Sequence, residues 1–204
     1  MSQGGDGGGE EAASGTADGA HSFAGEGGSS SLMDLIRQRQ GTSGSTQILD
    51  LSYAHLEVFP TEIEFLRDVL EKLTMSHNSI RTLPLQLNMF TSLRYLNIRA
   101  NSIKTFPAVL CHLASLEILD MSRNKISRFP DDFGSLINLR VLSISKNRID
   151  TIPLYVGDMI NLQFLKIEMN PIVFPPPQIV EFSGEGMGEW LSRLKAYLVL
   201  HQSK

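Results

Sequence analysis

From residue 46 onward, apolar and polar positions recur along the chain in a fixed order. Residues 116–130 read Leu-Glu-Ile-Leu-Asp-Met-Ser-Arg-Asn-Lys-Ile-Ser-Arg-Phe-Pro. They define a template with apolar residues at positions 1, 4, 6, 11 and 14, Asn at 9 and Pro at 15. Residues 93–107 and 139–153 match it, as does 70–84, with Leu73, Met75, Asn78, Ile80 and Leu83 in place. The fourth-position leucines Leu73, Leu96, Leu119, Leu142 and Leu165 are spaced 23 residues apart. A first copy at 49–60 precedes the second by 24 residues. A sixth, at 162–176, keeps Leu165, Ile167, Asn170 and Ile172 and then becomes proline-rich. Between copies, apolar residues recur three and six positions after each proline: Leu87 and Phe90, Leu110 and Leu113, Phe133 and Leu136, Val156 and Met159.

A 23-residue period falls in the 20–29 range of leucine-rich repeats. No single copy can enclose its own apolar residues, whereas stacked copies share one continuous core. The Leu-x-Leu stretch alternates at period two and predicts a short strand with its leucines inward. Parallel neighbours need a returning connection, which the segment after each proline supplies as a short helix or irregular turn. The expected fold is therefore an α/β leucine-rich-repeat solenoid of six repeats, with a curved parallel sheet on its concave face and helical caps at both ends. Asn78, Asn101, Asn124, Asn147 and Asn170 form a predicted ladder, each amide satisfying backbone groups where the chain turns out of its strand. Ala54 replaces the asparagine in the first copy.

The ends read differently. Residues 1–30 hold 10 of the 17 glycines, with Phe23 the one aromatic residue among them. Such a segment cannot bury enough apolar surface to offset its conformational entropy, and disorder is expected. Its Gly4–Gly9 cluster lacks the Gly-Lys-Ser/Thr of a phosphate loop. Residues 31–45 read as an N-terminal capping helix and linker, with Ser30 or Ser31 as cap, Leu32, Leu35 and Ile36 on one face, and Gly41 and Gly44 ending it. The repeats occupy 46–182. A glycine hinge (Gly184, Gly186, Gly188) and a helix with Trp190, Leu191, Leu194, Tyr197 and Leu198 at helical spacing fill 183–204. That helix either covers the last repeat or docks a partner. The chain could also be a piece of something longer.

Candidate chemistry lies on the concave face, where positions 3, 5, 7 and 8 point outward. Position 3 reads Ile48, Lys72, Tyr95, Ile118, Val141 and Phe164. This apolar column is either a binding stripe or lateral packing between strands. Beside it, Arg99, Arg123, Lys125, Lys146 and Arg148 occupy positions 7, 8 and 10 of consecutive copies, diluted on the sheet by Asp50, Asp120 and Glu168. The cluster reads as a solvated rim, a site for an acidic protein segment, or a contact for RNA or lipid headgroups. The concave sheet offers on the order of 400 Å², below the roughly 800 Å² per partner of a standard interface. The rim or a cap is therefore expected to contribute to any stable complex.

Composition narrows the classes. The net charge of −4 argues against a dedicated nucleic-acid binder. Residues 1–30 carry −5 of it, leaving the remainder at +1. The single cysteine, Cys111, forbids an intrachain disulfide. Apolar runs are too short for a membrane span, and no secretory pattern opens the chain. A reducing compartment follows, with the cytoplasm the default. The histidines lack metal-ligand spacing, and neither Cys111 with His112 nor the scattered carboxylates form a catalytic pattern. The expectation is a monomeric non-enzyme with no cofactor and no metal, binding a protein and no nucleic acid.

The joining pattern P-x-x-φ-x-x-φ-x-x-L resembles that of intracellular Ras-pathway scaffolds and of the repeat modules of adenylyl cyclases. The phrases LRYLNIRANSIKTFPAVLCHLASLEILDMSRNKI and NPIVFPPPQIV, followed by a Trp-containing helix, resemble the N-terminal module of the leucine-rich-repeat component of the fungal RAM morphogenesis network. The resemblance covers about residues 31–200 and implies a non-enzymatic scaffold. Such a scaffold works with a Ste20-type kinase and promotes signalling to an NDR-type kinase, at sites of polarised growth and cell separation. Members of that family carry a long C-terminal region that this sequence lacks. No family binding residue carries over one by one.

Overall fold

The computed structural model describes residues 31–44 and 46–202. The predicted disorder of 1–30 lies outside them. The described chain begins with α1 (Leu32–Arg39), whose first turn is closed by a capping box: Ser31 Oγ accepts from the Asp34 amide, and Asp34 accepts from the Ser31 amide. Ile36 is fully buried, with Leu32 and Met33 packed against the core.

Gln40, expected to end the capping helix, and residues 41–43, expected as linker, instead form strand β1 (Gln40–Ser43). It runs antiparallel to β2 (Thr46–Asp50), with Ser43 opposite Thr46. Gly44 at φ 67 turns the chain between them. The glycines that mark a helix end thus also make a hairpin, which covers the edge of β2 that stacked repeats would leave bare.

β3 (Leu70–Thr74), β4 (Tyr95–Asn97), β5 (Ile118–Asp120), β6 (Val141–Ser143) and β7 (Phe164–Lys166) follow in sequence order. With β1 and β2 they make one seven-stranded sheet, parallel from β2 onward. Leu49, Leu73, Leu96, Leu119, Leu142 and Leu165 pair across it. The 24-residue first spacing appears as a register irregularity at Gln47 and Ile48.

The returns are short stretches of 3-10 helix, at Thr61–Leu66, Leu85–Met89, Ala108–His112, Asp131–Ser135 and Leu154–Asp158. Each begins directly after the template proline, whose fixed φ suits a turn start and whose missing N–H leaves nothing unsatisfied there. The apolar residues at three and six positions after the proline are all buried, forming one cluster with the strand leucines.

After β7 comes the short helix α2 (Pro177–Val180), then α3 (Met187–Gln202). Gly184 at φ 93 makes the bend before α3. Gly188, read above as hinge, lies inside the first turn of α3. Trp190, Leu191, Leu194 and Leu198 are buried against the last repeat. Lys195 Nζ donates to the carbonyls of Met159 (2.6 Å) and Leu162 (2.8 Å). Arg193 donates to the carbonyls of Gln178 and Glu181 and pairs with Glu185, fastening α3 to the segment before it.

Candidate functional site

The asparagines set the geometry of everything around them. Asn124 Nδ2 donates to Met121 O in its own repeat (3.0 Å) and to Ile98 O in the one before (3.0 Å). Its Oδ1 accepts from the Ile103 amide of that earlier repeat (3.1 Å). Asn101, Asn147 and Asn170 repeat the scheme one register away. Asn78 repeats it too, and accepts from both Ala54 and Leu56, so the first copy needs no asparagine of its own.

This bond pattern bends the chain at position 8. Tyr53, His77, Ala100, Arg123, Lys146 and Met169 all have φ between 54 and 59°. Side chains disfavour that left-handed region. The next residue's amide closes the bend by holding the carbonyls on its near side, as Asn124 does those of Met121 and Ser122. The sequence reading missed this feature, because none of the six residue types favours the conformation as glycine does.

The position-3 residues Ile48, Lys72, Tyr95, Ile118, Val141 and Phe164 stand side by side across the sheet. All are half-buried except Phe164, which is 48% exposed at the end strand. Lateral packing therefore takes much of the column's area. Lys72 interrupts it but lays its ammonium over the Tyr95 ring, 4.7 Å from the centroid. At position 8 the exposed Tyr53 ring stacks on His77 at 4.5 Å.

Arg123, Lys125, Lys146 and Arg148 are exposed and Arg99 is half-buried. The acids thought to dilute them are occupied. Asp50 and Asp120 accept from the amides of Ser52 and Ser122 (both 2.9 Å), finishing their strands, and Glu168 accepts from Ser145 Oγ (2.6 Å). None of the five cations has a carboxylate within ion-pair distance among the described residues.

The opposite sheet edge differs. Position 2 alternates as Glu71, Arg94, Glu117 and Arg140. Arg94 Nε donates to Glu117 at 2.8 Å, and Arg140 approaches the same carboxylate at 3.9 Å. The hydrogen bond to Glu117 holds the Arg94 guanidinium more firmly protonated than usual.

Cys111 is buried in its 3-10 turn, and burial pushes its thiol up to about 11, with nearby Asp132 adding to the effect. A neutral thiol of this kind is a poor nucleophile. Among the described residues no group of three or more His, Cys, Asp or Glu is placed to hold a metal. None of the described helices is long and apolar enough to cross a membrane. A cleft of about 580 Å³ opens between β7 and the C-terminal helices, lined by Leu165, Ile167, Met169, Phe182, Met187 and Trp190 among others.

The family described as leucine-rich repeat region matches residues 86–181. Over these residues the chain folds as a leucine-rich-repeat solenoid. Solved structures with the same repeat agree. A leucine-rich-repeat protein of Leptospira interrogans is 33% identical over 64% of this chain and 33% of its own, with a TM-score of 0.60. The ectodomain of the receptor kinase SOBIR1 from Arabidopsis thaliana is 28% identical over 62% of this chain and 70% of its own, with a TM-score of 0.53. An internalin of Listeria monocytogenes, 24% identical with a TM-score of 0.52 over 59% of this chain and 35% of its own, shares the fold. The aligned part spans about a third of the length of the Leptospira and Listeria proteins. No curated protein matches the sequence. Leucine-rich-repeat modules are in general non-catalytic and bind other proteins, with partner contacts on the surfaces the stacked repeats present.

Proposed function

We propose that this leucine-rich-repeat solenoid is a non-catalytic scaffold that holds a protein partner against its concave face and basic rim. One observation carries the reading: Arg123, Lys125, Lys146 and Arg148 are exposed, and none of the five rim cations has an ion-pair partner among the described residues, although three carboxylates lie on the same sheet. Solvent-facing charges held on a rigid sheet edge steer and orient an oppositely charged partner. Tyr95 and Phe164 supply the aromatic surface beside them.

The resemblance to the fungal RAM-network component supports a finer assignment. In that reading the chain serves a kinase pathway of cell polarity and morphogenesis, works beside a Ste20-type kinase, and acts as a monomer in the cytoplasm at sites of polarised growth. Affinity capture tests it, comparing the wild type with Tyr95→Ala/Phe164→Ala and, separately, Arg123→Glu/Lys146→Glu. Loss of the same captured kinase from either variant, with the fold intact, is the expected result. Unchanged recovery from both removes the face as the site.

A second reading makes the chain a regulatory subunit of an enzyme such as a phosphatase or adenylyl cyclase, or a module of a larger scaffold. The cleft beside α3 favours it, since the C-terminal helices there leave apolar surface open. An activity assay on the captured partner separates the two.

A further inference from the structure

The cationic surface is larger than the five rim residues, and it is built on rigid backbone. In the second to fifth repeats, positions 7–13 carry Lys or Arg eight times and a carboxylate once, at Asp150. Arg99, Arg123 and Lys146 stand nearest the sheet, and Lys125 and Arg148 stand one step outward. Arg81, Lys104 and Arg128 lie furthest out, all three exposed. None of the eight has an ion-pair partner among the described residues.

These segments are not independent loops. The amides of His77, Ala100, Arg123 and Lys146 donate to Arg99 O, Ser122 O, Ser145 O and Glu168 O of the following repeat, at 2.9 Å each. The amides of Ser102, Lys125 and Arg148 donate to Ile80 O, Ile103 O and Ile126 O of the preceding one, at 2.8–2.9 Å. Backbone pairing thus continues past the ends of the strands, and the asparagine ladder holds it from beneath. Successive repeats are fixed about 4.8 Å apart along this strip. Cations so held repel one another, and an arriving anion loses little order in meeting them.

The strip is bounded. The corresponding segments of the first and sixth repeats carry Glu57 and Glu168 and no cation. Four repeats span roughly 15 Å, the length of about five residues of extended peptide. A long polyanion would run past the strip onto those carboxylates, and the whole chain is negative, which disfavours nucleic acid and anionic membrane alike.

We propose that the strip formed by positions 7–13 of the second to fifth repeats docks a short acidic segment of a partner protein in extended conformation. This rests on the protein-binding reading above and names the chemistry of what is bound.

The experiment is fluorescence anisotropy on the full chain with a labelled Asp/Glu peptide of about ten residues and a Gln/Asn peptide of equal length. The acidic peptide should bind measurably below about 100 µM, weaken steeply between about 50 and 200 mM salt, and outcompete the neutral one. Arg123→Glu/Lys146→Glu should weaken it at least about tenfold, while Arg67→Glu, away from the strip, leaves it within about twofold. Because the wild type carries the salt and peptide comparisons, a variant that misfolds leaves the test intact. Equal binding of the two peptides, or an unchanged affinity in the folded double variant, overturns the proposal. So does tighter binding of oligouridylate or of phosphatidylserine vesicles. The protein-binding reading fails separately: partner capture that survives both Tyr95→Ala/Phe164→Ala and Arg123→Glu/Lys146→Glu removes it, whereas the comparison of acidic and neutral peptides tests the strip alone.

Discussion

Asn124 shows how much one side chain carries in this fold. It satisfies two carbonyls and one amide across two repeats, all out of reach of water. Asn124→Ala leaves these groups unpaired and should lower stability by roughly 1–3 kcal/mol, seen as a lower urea midpoint. An unchanged midpoint would remove the ladder from the account. Lys146 tests the bend beside it. Its φ of 58° tolerates glycine but crowds a β-branched side chain, so Lys146→Val should destabilise by about 1–2 kcal/mol and Lys146→Gly by little. Cys111 gives a pH signature. Its thiol titrates near 9.0 when unfolded and about 11 when buried, so the folded state keeps its proton longer. Its contribution is present below pH 9.0 and is lost as pH rises through about 11. The urea midpoint should therefore fall on raising the pH from 8 to above 10, and fall less in Cys111→Ala. The half-buried Tyr155 hydroxyl, which donates to Pro130 O, shifts in the same direction and adds to the loss in both proteins.

At the scale of elements, the turn Leu154–Asp158 and α3 pack closely at Gly157. A Cβ built on Gly157 would lie 2.9 Å from Val199 Cγ2 and 3.2 Å from Lys195 O. Gly157→Ala should lower the melting temperature by overpacking, on the order of 1–3 kcal/mol, and Val199→Ala should restore part of it. If the two changes are simply additive, α3 does not sit there. The same elements show what a sequence can and cannot disclose. Strands, register and the asparagine positions were legible because burial forces one residue type at each, as at Leu119, Met121 and Ile126, all fully buried. β1 was not, because Gln40, Thr42 and Ser43 bury no apolar side chain and the strand rests on backbone bonds alone. A second polar ladder also escaped notice. Ser92, Ser115, Asn138 and Asn161 each donate to a carbonyl 24 residues earlier. Its signal, a Ser or Asn before Leu93, Leu116, Leu139 and Leu162, looks like any polar residue between repeats. The position-3 and rim residues were placed in register by the period, but the ion pairing that separates the two sheet edges depends on side-chain rotamers.

For the whole molecule, both ladders and the sheet connect only neighbouring repeats, so stability is a chain of pairwise interfaces ending at α3. Trp190, Leu191, Leu194 and Leu198 close that end. Truncation after residue 182 should uncover Leu162, Leu165 and Ile167, broaden the urea transition as the last repeats fray, and produce concentration-dependent self-association in sedimentation. A truncated chain that stays monomeric with an equally sharp transition would show that α3 is not a cover. The alternating row Glu71, Arg94, Glu117, Arg140 has an arithmetic consequence of its own. Excising residues 116–138 removes one whole period and sets Arg94 beside Arg140, like against like. Excising 93–138 removes two and sets Glu71 beside Arg140, opposite against opposite. This edge distinguishes odd from even: shortening or duplication by pairs of units keeps its charges matched, and by single units does not.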